Sequence, residues 1–129
     1  TYRRGQKVSG PQYVRGVQVL HAFGRAVATL FETHDVLLTS TMGEPPVPIN
    51  WVLGKARGIS RRLWRYMPNT QGFNNTGQPA MTVPLAWSQG GLPMGMQLVT
   101  RFGTDGATLA IGQQYHLATD WPGRRPPAL

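Results

Sequence analysis

The chain has 129 residues, of which 13 are Lys or Arg and 5 are Asp or Glu, for a formal net charge of +8. Its 40% apolar and 14% charged residues suit one globular domain, with much loop from 16 Gly and 11 Pro, and argue against disorder. Without Cys there are no disulfides, thiolate nucleophiles or Cys-bound zinc, and no apolar run approaches the roughly 20 residues needed to cross a bilayer.

The first element is a helix expected from about Pro11 to Thr33. Ser9 and Gln12 have capping-box spacing, and Tyr13, Val17, Leu20, Gly24, Val27 and Phe31 recur at intervals of three and four. Gly16 and Gly24 each cost about 1 kcal/mol relative to Ala in an exposed helix, so both imply close packing against another element. "DVLLTST", Asp35 to Thr41, is a short continuous apolar run that predicts a strand buried on both faces. It stops at "MGEPPVPIN", where three prolines withhold amide donors and keep the path from Met42 to Asn50 extended.

Five basic residues then lie between Lys55 and Arg65. On a helix, Arg57, Arg61 and Arg65 share one face, with Lys55 and Arg62 beside them and Ile59, Leu63, Tyr66 and Met67 opposite. This face reads as a solvated one or as one meeting acidic groups, because no nucleic-acid-binding module accompanies it. "FNNTGQPAMTVPL", Phe73 to Leu85, predicts a rim loop that feeds a strand. Met81 to Leu85 and Met94 to Val99 bracket Gly90-Gly91, a hairpin pattern, with Met94 and Met96 as core filling. Thr104 or Asp105 caps a last helix carrying Ala107, Ala110, Ile111, Gln114, Tyr115 and Ala118 on one stripe and ending near Asp120-Trp121-Pro122.

Catalytic patterns are scarce. Ser9, Ser40, Ser60 and Ser88 stand outside any Gly-x-Ser-x-Gly frame. His21, His34 and His116 have no metal-ligand spacing and read as helix-surface or packed residues. Glu32, Asp35, Glu44, Asp105 and Asp120 are scattered, and glycine patterns for phosphate or dinucleotide binding are missing. No cofactor and no metal is expected.

Ordered sequence says more than spacing. "FNNTGQPAMTVPLAWSQGGLPMGMQLVTRFGTDGATL" closely resembles the C-terminal part of amidase signature enzymes, in which Phe-Asn-x-Thr-Gly-x-Pro-Ala leads into a strand, a Gly-Leu-Pro turn and a Gly-x-Gln-Leu strand. "DVLLTST" with its Pro-rich sequel and "RRPP" near the end are similar to the same family, so the resemblance covers most of Tyr13 to Pro127. It implies an α/β fold, the C-terminal portion of a mixed central sheet flanked by helices, in the order helix, strand, loop and helix, β-hairpin, helix. It also implies hydrolysis of carboxamides through a Ser, cis-Ser and Lys triad, in which Lys accepts a proton through the bridging Ser and backbone amides stabilise the oxyanion.

In the family those three residues lie upstream, and here there is no adjacent Ser pair, while Lys7 and Lys55 stand in no matching context. The expectation is therefore that residues 1–129 are the C-terminal fragment of a single amidase domain without an internal boundary, and that they assign no catalytic residue. A start at Thr1 and not Met fits a piece of something longer. Ser40 stands where Pro usually follows the Leu-Thr of the strand, Asn75 where an apolar residue is usual, and Gly106 where an acid often begins the last helix.

The resemblance puts Asn74, Thr76 and Gly77, together with Thr41 and Met42, at the rim of a substrate pocket. The turn chemistry of Asn, Thr, Gly77 and Pro79 also suits a purely architectural role. The expected partners are the upstream part of the same enzyme, an amide substrate in the intact protein, and further copies of the fragment, with no specific nucleic acid and no membrane; cytoplasm is the default location. The alternative is a noncatalytic basic module that binds nucleic acid or an anionic membrane surface, or one that serves association.

Overall fold

The computed structural model describes residues 2–51 and 59–124. A one-turn helix α1 (Tyr2–Gly5) precedes the long helix α2 (Gly10–Leu30). The expected capping box closes in both directions: Ser9 N–H donates to Gln12 Oε1 over 2.8 Å and Gln12 N–H to Ser9 Oγ over 3.4 Å. Val17, Gly24 and Val27 are half-buried and Phe31 is buried, whereas Tyr13 and Leu20 face solvent. Gly24 meets its expected neighbour, since a Cβ there would lie 3.6 Å from Thr76 Cγ2, but Gly16 has open space around it.

Strand β1 (Val36–Ser40) is followed by the Pro-rich loop and helix α3 (Ile59–Tyr66), then by helix α4 (Gln71–Thr76), strands β2 (Ala80–Trp87) and β3 (Pro93–Thr100), helix α5 (Asp105–Ala118) and a 3-10 turn at Trp121–Gly123. The predicted hairpin forms between β2 and β3, with Gly91 at φ 74° in its turn. Met94 and Met96 are half-buried in β3. All three strands are antiparallel in the order β1-β3-β2, and the register shifts between Pro84 and Ala86.

Directly opposed residues share a face. One face carries Met81, Val83, Met96, Leu98 and Thr100, and α5 packs on it through β2 and β3. Thr100 Oγ1 and Thr108 Oγ1 are 2.5 Å apart, and Gly112 lies against Met81, where an added Cβ would collide with the thioether. The opposite face carries Leu37, Thr39, Thr82, Gln97 and the fully buried Val99, and the chain before α4 crosses it at Asn69.

Several expectations are corrected. The Val36–Ser40 strand is not buried on both faces: it is the edge of the sheet, and Leu38 is 57% exposed because α5 covers β2 and β3 only. Among the described residues no strand pairs with its outer side. The stretch Phe73 to Thr76 is not loop but the end of α4, closed by Gly77 at φ 76°, whose N–H donates to Phe73 O over 2.8 Å. The last helix keeps Ile111 and Tyr115 of the expected stripe on its inner face but replaces the rest. Thr104, Thr108, Ile111, Gly112, Tyr115 and Thr119 face inward, while Ala107, Ala110, Gln114 and Ala118 are exposed, because a sheet this close admits Gly and hydroxyls better than a further layer of methyl groups.

Helix α3 confirms half of the basic amphipathic segment: Leu63, Tyr66 and Met67 are half-buried, and Arg61, Arg62 and Arg65 are exposed. Lys55 and Arg57 lie outside the described residues. The arginines nonetheless have local work, as Arg65 Nε forms an ion pair with Glu44 Oε1 and the Arg62 guanidinium sits 5.6 Å from the Trp51 ring centroid. The Glu44 contact is charge to charge, because Oε1 accepts no hydrogen bond.

Candidate functional site

At the C-terminal end of β1 the chain turns away from the sheet and a cavity of about 320 Å³ opens between the Pro-rich loop and the hairpin. Ser40, Met42, Glu44, Pro46, Leu85 and Met94 are among its walls. The loop is fastened from behind: Gly43 N–H donates to Tyr66 O over 2.9 Å, and Arg65 holds Glu44. Two consecutive prolines at 45 and 46 limit the backbone to extended geometry, so the wall keeps its shape without a ladder of hydrogen bonds.

Behind the cavity runs a strip of polar side chains. Thr41 N–H donates to Gly95 O over 3.0 Å, and Thr41 Oγ1 donates to Thr82 Oγ1 over 3.2 Å. They meet across Gly95, where a Cβ would come within 2.7 Å of Thr82 Cγ2 and 3.0 Å of Thr41 Oγ1. Gln97, only 4% exposed, donates from Nε2 to Thr39 Oγ1 over 3.1 Å and to Asn69 O over 3.2 Å. Asn69 Nδ2 in turn donates to Ser40 O and to Ser40 Oγ, each over 3.0 Å. Buried amides are thereby satisfied, and the strip is anchored at both ends.

This arrangement can bind and orient. The Ser40 hydroxyl accepts from Asn69 Nδ2 and the Thr41 hydroxyl donates to Thr82 Oγ1, while His21, His34 and His116 are exposed elsewhere in the chain. Ser88 is occupied in the hairpin turn, where its Oγ accepts from Leu92 N–H over 3.0 Å. Among the described residues no group of three or more His, Asp or Glu could hold a metal ion. A larger cavity of about 470 Å³ lies between β2 and α5, but its Tyr115 hydroxyl is committed to the Pro84 carbonyl at 2.5 Å.

The five residues expected at the rim fall in two places. Met42 lines the cavity and Thr41 lies at its back, with Ser40 beside them. Asn74, Thr76 and Gly77 sit at the end of α4 against α2: Asn74 is exposed, Thr76 Oγ1 donates to Gly72 O over 3.2 Å and also contacts Gln78 Oε1, and a Cβ on Gly77 would lie 3.1 Å from the Phe102 ring. Asn69, Gln97, Thr39 and Thr82 were not foreseen from sequence. The one local sign was polarity at period two, Thr39 with Thr41 and Gln97 within an otherwise apolar strand.

The sequence profile of the Amidase family matches residues 2–109. The chain is 26% identical to the 6-aminohexanoate-cyclic-dimer hydrolase of Pseudomonas sp. strain NK87 over 136 aligned positions, covering 98% of this chain and 28% of that protein. It is 34% identical over 116 positions to a Glutamyl-tRNA(Gln) amidotransferase subunit of Chloroflexus aggregans, covering 88% of this chain and 22% of that one. A solved structure of 6-aminohexanoate cyclic dimer hydrolase superimposes on 97% of the chain with a TM-score of 0.85 and 25% identity, which uses 28% of the solved chain. The chain therefore spans between 22% and 28% of the length of these relatives.

Proposed function

Since the chain belongs to the amidase family, we propose that it is the C-terminal part of an amide hydrolase and supplies one wall of the substrate pocket, while a Ser, cis-Ser and Lys centre comes from residues outside these 129. The observation that carries this reading is a cavity walled by Met, Leu and Pro, backed by hydroxyls and carboxamides, whose one lining carboxylate, Glu44, is held by Arg65. Such a surface suits the acyl portion of a carboxamide, whose carbon chain takes the apolar wall. On this reading the substrate contacts are those of Thr41 and Met42, and Asn74, Thr76 and Gly77 shape the second wall from α4.

The test is turnover. The purified chain should release neither ammonia nor amine from a panel of aliphatic and aromatic amides, because the hydroxyls of Ser9, Ser40 and Ser88 accept from amide N–H groups and have no proton acceptor of the required kind among the hydrogen bonds of the described residues. Turnover that survives rigorous purification and disappears in Ser40→Ala or Ser88→Ala would overturn the proposal.

Removing a sheet's neighbours also favours self-association. Val36, Leu38 and Ser40 turn their backbone groups away from β3, and Tyr13, Val14 and Val19 are exposed on α2. The charge of +8 opposes contact between copies, but it is screened over about 8 Å at physiological salt, whereas apolar burial is not. Sedimentation at several concentrations and salt levels should show dimers or larger species; a compact monomer throughout would contradict it. The basic-module alternative gains nothing from α3, where Arg62 and Arg65 are engaged by Trp51 and Glu44.

A further inference from the structure

The Thr41 N–H bond to Gly95 O fixes which residues of β1 face its partner. With Ser40 opposite Met96, the hydrogen-bonded pairs are those at 37, 39 and 41, and Ser40 turns its N–H and C=O toward the open edge. On that outer side Asn69 Nδ2 takes both the carbonyl and the hydroxyl of Ser40, each at 3.0 Å. Asn69 is itself held by the buried Gln97, which donates to the Asn69 carbonyl. Immediately beyond this point Met42 lines the cavity, and Thr41 is bonded to Gly95, another of its lining residues.

We infer that Asn69 is a positioning residue, a two-point clamp that fixes the end of β1 at Ser40 and so sets the lip formed by Thr41 and Met42. A proline ring at position 40 would restrain the same backbone covalently, and it would remove no ladder bond, because the Ser40 N–H points away from β3. The clamp and such a ring are thus interchangeable restraints. That the lip contacts the acyl portion of an amide rests on the function proposed above.

Two readouts on the 129-residue chain separate the clamp from that function. Backbone relaxation reports the order of Ser40, Thr41 and Met42, and titration with hexanamide reports the cavity. Asn69→Ala and the isosteric Asn69→Asp, which loses the Nδ2 donors, should each loosen the lip and weaken hexanamide about five-fold, in line with the loss of one to two hydrogen bonds. Ser40→Pro added to Asn69→Ala should restore both to within about two-fold. A merely structural Asn69 would not be rescued in this way, so lip order that stays low in the double variant, or that never fell in either single variant, overturns the clamp. If the lip loosens and is rescued while hexanamide binds no variant, the clamp stands and the acyl-pocket reading fails.

Discussion

The Tyr115 hydroxyl donates to the Pro84 carbonyl across 2.5 Å, tying α5 to β2 at the residue where the strand loses register with β3. A bulged strand leaves backbone groups without ladder partners, and here a helix side chain takes one of them. Because the bond is partly open to water, Tyr115→Phe should cost about 1 kcal/mol, and not the larger penalty of a sealed acceptor. Urea unfolding that shows an unchanged midpoint would mean water replaces the hydroxyl fully.

Gly95→Ala should cost more. The new methyl meets Thr82 Cγ2 at 2.7 Å and Thr41 Oγ1 at 3.0 Å, and both neighbours are short, β-branched and stiff at χ1. Overpacking of this kind destabilises by about 1–3 kcal/mol. Removing the offending methyl with Thr82→Ser should recover part of that loss, so the double variant ends above the sum of the two single changes. Additive losses in denaturant titrations would show that the strand moves instead.

Asp120 and Arg124 close a small clip below α5: Arg124 Nη2 donates to both carboxylate oxygens, at 2.7 and 2.9 Å, and the guanidinium lies 4.6 Å from the Trp121 ring centroid. These hydrogen bonds hold the Asp120 pKa below its usual value against the opposing effect of desolvation, and the Arg124 charge adds a smaller lowering. A depressed carboxylate contributes above its unfolded pKa and loses that contribution as pH falls through the depressed folded value, so the clip fails on the acid side. NMR titration of the Asp120 carboxylate should show its midpoint rising in Arg124→Gln. An unmoved midpoint would show that the pair does not persist in solution.

How much of this was legible beforehand differs by element. The Ser9-Gln12 box, the Gly90-Gly91 turn and the extent of α5 are written in neighbouring residues, where local chemistry decides. The buried face of α5 was not, because Thr108 and Gly112 are chosen for closeness to Thr100 and Met81, which only the fold brings near. The run Val36 to Leu38 shows apolarity but not how many neighbours the strand has. The site divides along the same line. Thr41 and Met42 follow from the strand end, whereas Asn69 reaches Ser40 across 29 residues and Gln97 reaches Asn69 across 28, contacts set by register and not by spacing.

The surplus of positive charge should give only weak, sequence-indifferent retention of DNA or RNA. Neutralising Arg61, Arg62 and Arg65 together should leave affinity weaker than about 0.1 mM at physiological salt, little changed from the parent chain, with a shallow salt slope in both. A micromolar affinity that falls steeply with salt and collapses in the triple variant would restore the basic-module reading.

The central claim is that these residues shape an amide site whose chemistry is carried elsewhere. It is tested most directly by treating the polypeptide that continues the reading frame on the N-terminal side of Thr1 with a serine-reactive fluorophosphonate and mapping the adduct by mass spectrometry. The account predicts one modified Ser outside residues 1–129, with amide turnover lost in step with modification and no adduct on the isolated chain. An adduct on Ser9, Ser40, Ser60 or Ser88 that abolishes turnover would contradict it.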